Sequence, residues 1–146
     1  MRTVGESMLI YDLRHYKDYQ RSLKTIPERI AMINMKLTSV KGINTDKIPV
    51  QGGGSANGDA WTNGIYDKMR LEQSYKSTKY VLSILDRALS ALSDRERELI
   101  ENMYIENIPH AVELFGNSHG YEKSQCYNIR NAALEKMDRS CSGVMA

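Results

Sequence analysis

The sequence predicts an all-α protein: a long N-terminal helical hairpin or coiled-coil-like arm, followed by a compact C-terminal helical module. Three observations carry this expectation. Two long stretches repeat apolar residues at heptad spacing. No run alternates apolar and polar residues for long enough to make a strand, and the β-branched residues are scattered. The C-terminal third carries helix start and stop signals at short intervals. At 146 residues the chain is one domain, or one compact unit with an extended arm.

The first heptad stretch covers residues 7–39. Leu9, Tyr16, Leu23, Ile30 and Leu37 recur at one heptad position, and Tyr19, Ile26 and Ile33 fill a second. Pro27 interrupts the pattern, and Thr25 with Glu28 spells a capping box. The stretch therefore predicts one helix kinked near Pro27 or two stacked helices. From about residue 40 to 64 periodicity disappears into Gly42, Pro49, Gly52-Gly53-Gly54, Ser55 and Gly58, which predicts a flexible loop. Neither a preceding strand nor a following Gly-Lys-Ser/Thr makes the glycine run a phosphate cradle. A helix is predicted from about Ile65 to Leu92, its seam formed by Leu71, Tyr75, Thr78, Leu82, Leu85, Leu89 and Leu92. The two seams can pair as an antiparallel hairpin or join a second copy of the chain, since both arrangements bury the same stripe.

The predicted organisation is a helical arm over residues 1–92, a module over 93–139 and a disordered tail over 140–146. Ser93 and Glu96 form a capping box. The helix they open runs to about Tyr104 or Ile105, with Leu99, Ile100 and Met103 inward. Pro109 is placed to open the next helix, which packs through Val112, Phe115 and Gly116 and stops at Gly120. The last helix starts near Glu122 and carries Cys126, Ile129, Ala133 and Met137 on one face. Gly116 is small where the two helices must cross, Gly120 sits in the turn, and Tyr121 fills the angle. That is the spacing of a helix-turn-helix.

Composition excludes several classes. No segment approaches the ~18 apolar residues of a membrane span. The start, MRTVGESMLIYDLR, lacks the apolar length of a signal peptide, so a cytoplasmic location is expected. Cys126 and Cys141 give no disulfide framework, with Cys126 on an apolar stripe. His15, His110 and His119 show no paired metal spacing, and no catalytic Ser/His/Asp or carboxylate pair is spaced for chemistry. The reading is non-enzymatic, with no cofactor and no metal. The nine tyrosines, against one Trp and one Phe, suit half-exposed seams and contact surfaces. The formal net charge of +2 is unevenly spread: residues 1–92 carry 14 Lys and Arg against 9 Asp and Glu, and residues 93–146 carry 6 against 9.

The stretch from Leu92 to Met137, roughly a third of the chain, resembles region 4 of the sigma-70-type transcription initiation factors. The resemblance is carried by Leu92, Arg95-Glu96-Arg97, Leu99, Tyr104, Gly116, Gly120, Ile129 and Ala133-Leu134-Glu135-Lys136-Met137. The front half, through YKDYQRSLKTIPERIAMINMKLTSVKGINTDKIPVQGGGS, is similar to small phage and prophage proteins of Gram-positive bacteria, in the style of the ArpU and RinA late-gene regulators. The resemblance implies a phage-encoded transcriptional regulator in the bacterial cytoplasm. Double-stranded DNA is its implied partner, and RNA polymerase or a second copy joined through the seams are candidate further partners.

On that reading the last helix enters a major groove. Its outward set is Lys123, Ser124, Gln125, Tyr127, Asn128 and Asn131, with Arg130 at the rim for a phosphate. Gln and Asn pair bidentately with adenine, Lys with guanine, and Tyr reaches phosphate. The plain alternative for the set is a solvated helix face. Few cations there mean weak non-specific binding, which a dimer or a polymerase tether would remedy. Two other functions fit the layout: a DNA-recognition subunit of phage packaging machinery, of small-terminase type, and a helical protein-interaction module. The acidic stretch Asp94–Glu113 keeps the latter open.

Overall fold

The computed structural model describes residues 2–46 and 56–142. Among them every regular element is helical: α1 (Val4–Arg14), α2 (Tyr16–Asp46), α3 (Ala56–Ser90), α4 (Asp94–Ile100), α5 (Ala111–His119) and α6 (Lys123–Ser142). A π-helical segment, Glu101–Ile105, continues α4. No helix among the described residues is long and apolar enough to cross a membrane.

The chain divides into two compact units, one joining residues 1–19 to 80–146, the other formed by residues 20–79. The division falls elsewhere than the expected boundary at 92/93. Leu9, Ile10 and Leu13 of α1 share one core with Leu85, Ala88 and Leu89 of α3, Leu92, Ile100, Tyr104, and Ala133, Leu134 and Met137 of α6. Burying each of the larger of these side chains is worth about 1.5–3 kcal/mol, so the module cannot shed the front of the chain cheaply. The hydroxyls of Tyr16 and Tyr19 reinforce the same unit, donating to Asp86 Oδ1 at 2.5 Å and to Asp12 Oδ1 at 2.8 Å.

Thr3 caps α1, its hydroxyl oxygen accepting from the Glu6 amide at 3.1 Å. The break in the first heptad stretch falls at His15, not near Pro27. The His15 amide is shared between the carbonyls of Tyr11 and Asp12, and the chain re-enters helix at Tyr16. Pro27 lies inside α2 without ending it, and Thr25 donates back to the Ser22 carbonyl at 3.5 Å instead of opening a capping box. Losing one N–H and crowding one carbonyl costs about 3 kcal/mol. The apolar stripe on either side offsets that cost: Ile26 is buried, and Leu23, Ile30, Ile33 and Leu37 are half-buried.

Within the 20–79 unit, α2 and α3 lie antiparallel. A Cβ on Gly64 would stand 2.7 Å from Leu37 Cδ2, while Ile30 shares a cleft with Glu72 and Tyr75. Part of each seam thus faces the other within the chain. The expected loop over 40–64 is largely helix: α2 runs on to Asp46 and α3 begins at Ala56. Pro49 and Gly52–Gly54 fall outside the described residues. So does the end of the expected tail, since α6 carries residues 140–142 and 143–146 are not described.

The Ser93–Glu96 capping box forms as expected. The π-helical segment after α4 turns Tyr104 into the core, where its hydroxyl has no hydrogen-bond partner among the described residues and the Arg14 guanidinium stands 5.5 Å from its ring centroid. Pro109 belongs to the turn before α5, not to its first turn. His110, in a left-handed conformation with φ 57°, is the residue that leads into Ala111.

Candidate nucleic-acid interface

The site is built from α5, a turn at Gly120–Glu122, and α6. Gly120 stops α5 with φ 74°, a conformation that costs a residue with a Cβ but not glycine. The turn closes through the Tyr121 amide, which donates to the Gly116 carbonyl at 2.9 Å. Gly116 itself permits the close crossing: a Cβ there would lie 2.7 Å from the Tyr121 carbonyl oxygen and 3.3 Å from Cys126 Sγ. Leu99, Val112, Phe115 and Cys126 form the small core beneath. Burial pushes the Cys126 thiol above its ordinary range, which suits packing better than reactivity.

Tyr121 occupies the angle between the helices, stacked at 6.0 Å from Phe115 and 6.1 Å from His119. His119 Nε2 lies 2.5 Å from Glu98 Oε2, tying the end of α5 to α4. Arg95 reaches the Tyr121 hydroxyl, and its guanidinium stands 5.5 Å from the Tyr121 ring centroid.

The expected reading set does not form one uniform surface. Cys126, Ala133, Leu134 and Met137 point inward, and Ile129 is half-buried. Ser124, Asn128 and Asn131 are exposed on the side of α6 away from them. Lys123 is exposed but 3.7 Å from Glu113. Gln125 is exposed too, yet its Oε1 accepts from the Glu122 amide at 2.9 Å, so this side chain caps its own helix. Tyr127 and Arg130 are half-buried on one flank, with the guanidinium 4.8 Å from the Tyr127 ring centroid. Arg130 also donates to Asn131 Oδ1 at 2.9 and 3.1 Å.

A shallow cleft adjoins the exposed row, bordered by Ser93, Arg95, Tyr121, Asn128, Ala132 and Lys136. Arg95 and Lys136 were not expected at the site. Their place depends on α4 lying beside α6, a contact between residues far apart in sequence. Lys136 is held 2.9 Å from Glu96. Burial pushes the Glu96 carboxyl up, but the bonds from the Ser93 amide and the Lys136 ammonium outweigh it and hold the group below its ordinary value.

The arrangement offers amide and hydroxyl groups for hydrogen bonding; Lys123 and Lys136 are matched by carboxylates, whereas Arg95 and Arg130 bond to Tyr121 and Asn131. Among the described residues, no three His, Cys, Asp or Glu side chains cluster as metal ligands. Compared with protein-family models, curated proteins and solved structures, the chain matches none of them.

Proposed function

We propose that the chain is a phage-type, sigma-like transcriptional regulator that binds double-stranded DNA without catalysing a reaction. On this reading α4 to α6 form a region 4-like helix-turn-helix, and α6 is the recognition helix. The observation that carries the reading is the glycine corner. Gly120 at φ 74° and the close crossing at Gly116 leave Ser124, Asn128 and Asn131 uncovered on α6. Uncharged amides on an exposed helix face suit adenine-containing sites, where Asn presents a matched donor and acceptor. RNA polymerase is the partner that would add affinity which this weakly cationic face lacks.

The test is genomic footprinting of the full chain, followed by binding of the recovered site. Asn128→Ala with Ser124→Ala should weaken binding to that site by about 1–3 kcal/mol per lost base contact, with helicity unchanged. Gln125 is a poorer probe because its substitution also removes a helix cap. Parent-like affinity in the double variant would move the reading face elsewhere. Footprints upstream of late genes support regulation, footprints at a packaging site replace it with a packaging role, and no footprints leave a protein-interaction module.

A further inference from the structure

Residues 93–146 hold six Lys and Arg. Four of them are matched by carboxylates: Lys136 by Glu96 at 2.9 Å, Arg97 by Glu101 at 3.2 Å, Lys123 by Glu113 at 3.7 Å, and Arg139 by Glu135. Arg95 and Arg130 differ. Arg95 bonds to the Tyr121 hydroxyl and Arg130 to Asn131 Oδ1, both neutral groups. Each guanidinium also stands over a tyrosine ring, 5.5 Å from the Tyr121 centroid and 4.8 Å from that of Tyr127. Among the described residues neither makes an ion pair with a carboxylate. These contacts aim each guanidinium without cancelling its charge, and they leave it N–H donors to spare.

The two arginines flank the exposed row Ser124, Asn128 and Asn131 on opposite sides. Arg95 borders the shallow cleft beside Ala132 and Lys136, whereas Arg130 leans on Tyr127. At about 100° of rotation per residue, Ala132 lies about 140° round α6 from Tyr127, and the row falls between them. The cleft itself suits an anion. Of the ionised groups along it, Glu96 and Lys136 pair with each other, so the charge of Arg95 is left over, and Asp94 does not border it. The Ser93 hydroxyl oxygen accepts from the Glu96 amide at 3.3 Å, which leaves its hydrogen to donate.

A major groove of B-DNA is about 12 Å wide. A helix with its side chains is about 10–12 Å across, so a helix lying in the groove meets a phosphate ridge on each side. We propose that Arg95, with the Ser93 hydroxyl, takes a backbone phosphate on one ridge, across α6 from the phosphate that Arg130 takes on the other. The proposal rests on the DNA-binding reading above and names the contact that α4 adds to it. One cation per ridge fixes the seat of α6 in the groove without reading bases, and the row between them is left to choose the sequence. The planar guanidinium fork matches two oxygens of one phosphodiester.

The experiment uses the full chain and a mixed-sequence DNA duplex, titrated across a range of salt concentrations. In Arg95→Ala the slope of log K against log salt should shrink by about 0.9, in Arg130→Ala by the same, and in the double variant by about 1.8. Arg95→Lys keeps the charge and should keep the slope. Tyr121→Phe removes the bond that Arg95 makes within the chain but not the cation, so it too should keep the slope. Circular dichroism checks that the helices are intact. Arg95→Ala with the parent's slope overturns the proposal, and if Asn128→Ala still weakens the footprinted site, the DNA reading itself stands. Equal slope losses in Tyr121→Phe and Arg95→Ala would make Arg95 a brace for the corner, which also overturns the proposal. Inorganic phosphate that shifts the Arg95 side-chain NMR signal, with the slope unmoved in Arg95→Ala, would make the cleft a site for a free anion instead. A parent chain that binds no duplex even at low salt overturns the proposal and the DNA reading together.

Discussion

Glu96 is the only charged residue buried among those described, at 9% exposure. Its carboxylate accepts from the Ser93 amide at 3.0 Å and from Lys136 at 2.9 Å, so one side chain both starts α4 and clamps α6 to it. Its folded-state carboxyl sits below its ordinary value of 4.5, although burial alone would raise it. The stability it contributes is therefore present above that value and drains away as pH falls through the lower, folded one. Glu96→Gln should cost about 1 kcal/mol at neutral pH and flatten the acid limb of a thermal-unfolding profile. Equal acid limbs in parent and variant would show that the carboxylate is not the titrating group. The capping half of this role was legible, because Ser and Glu three apart ahead of an apolar run spell a helix start. The clamping half was not, because Lys136 lies forty residues along the chain from Glu96.

At the scale of elements, the glycine corner was readable and the helix lengths were not. Gly116 and Gly120 mark local geometry, which sequence spacing encodes directly. Gly116→Ala should destabilise the chain by about 1–3 kcal/mol, since its Cβ would meet a backbone oxygen that cannot swing aside. A denaturant midpoint equal to the parent's would mean that the crossing can open at no cost. By contrast, Gly42, Gly58 and Gly64 look like helix breakers and lie in helix. Each costs about 1 kcal/mol relative to Ala there, a weak penalty that packing along a shared stripe overrides. At Gly64 the missing side chain is itself useful, since Leu37 takes its place. Pro27 misled for the same reason, and His15 offered no sequence signal for the break that occurs there. Within the expected reading face, Ser124, Asn128 and Asn131 stand exposed. Gln125 is occupied by capping, and Tyr127 and Arg130 lean on each other at the flank. Those engagements depend on rotamers and neighbours that a helical wheel does not contain.

For the whole molecule, the unexpected result is that α1 and α6 share a core. The heptad pattern spoke for Leu9 as part of a seam but was silent about which partner would cover it, because any apolar stripe satisfies the same periodicity. Leu13 is fully buried in that shared core, so Leu13→Ala should cost about 2–5 kcal/mol. Hydrogen exchange should report the loss at Ala133–Met137 of α6 as well as in α1. Unchanged protection in α6 would mean that the two helices open independently.

A core assembled from segments far apart in the sequence also sets a schedule for biosynthesis. Leu9, Ile10 and Leu13 are translated well before their partners Ala133, Leu134 and Met137. While the ribosome is still working, the nascent chain has to shelter this apolar helix on Leu85 and Leu89 or in a chaperone. Final closure waits until α6 has left the ribosome.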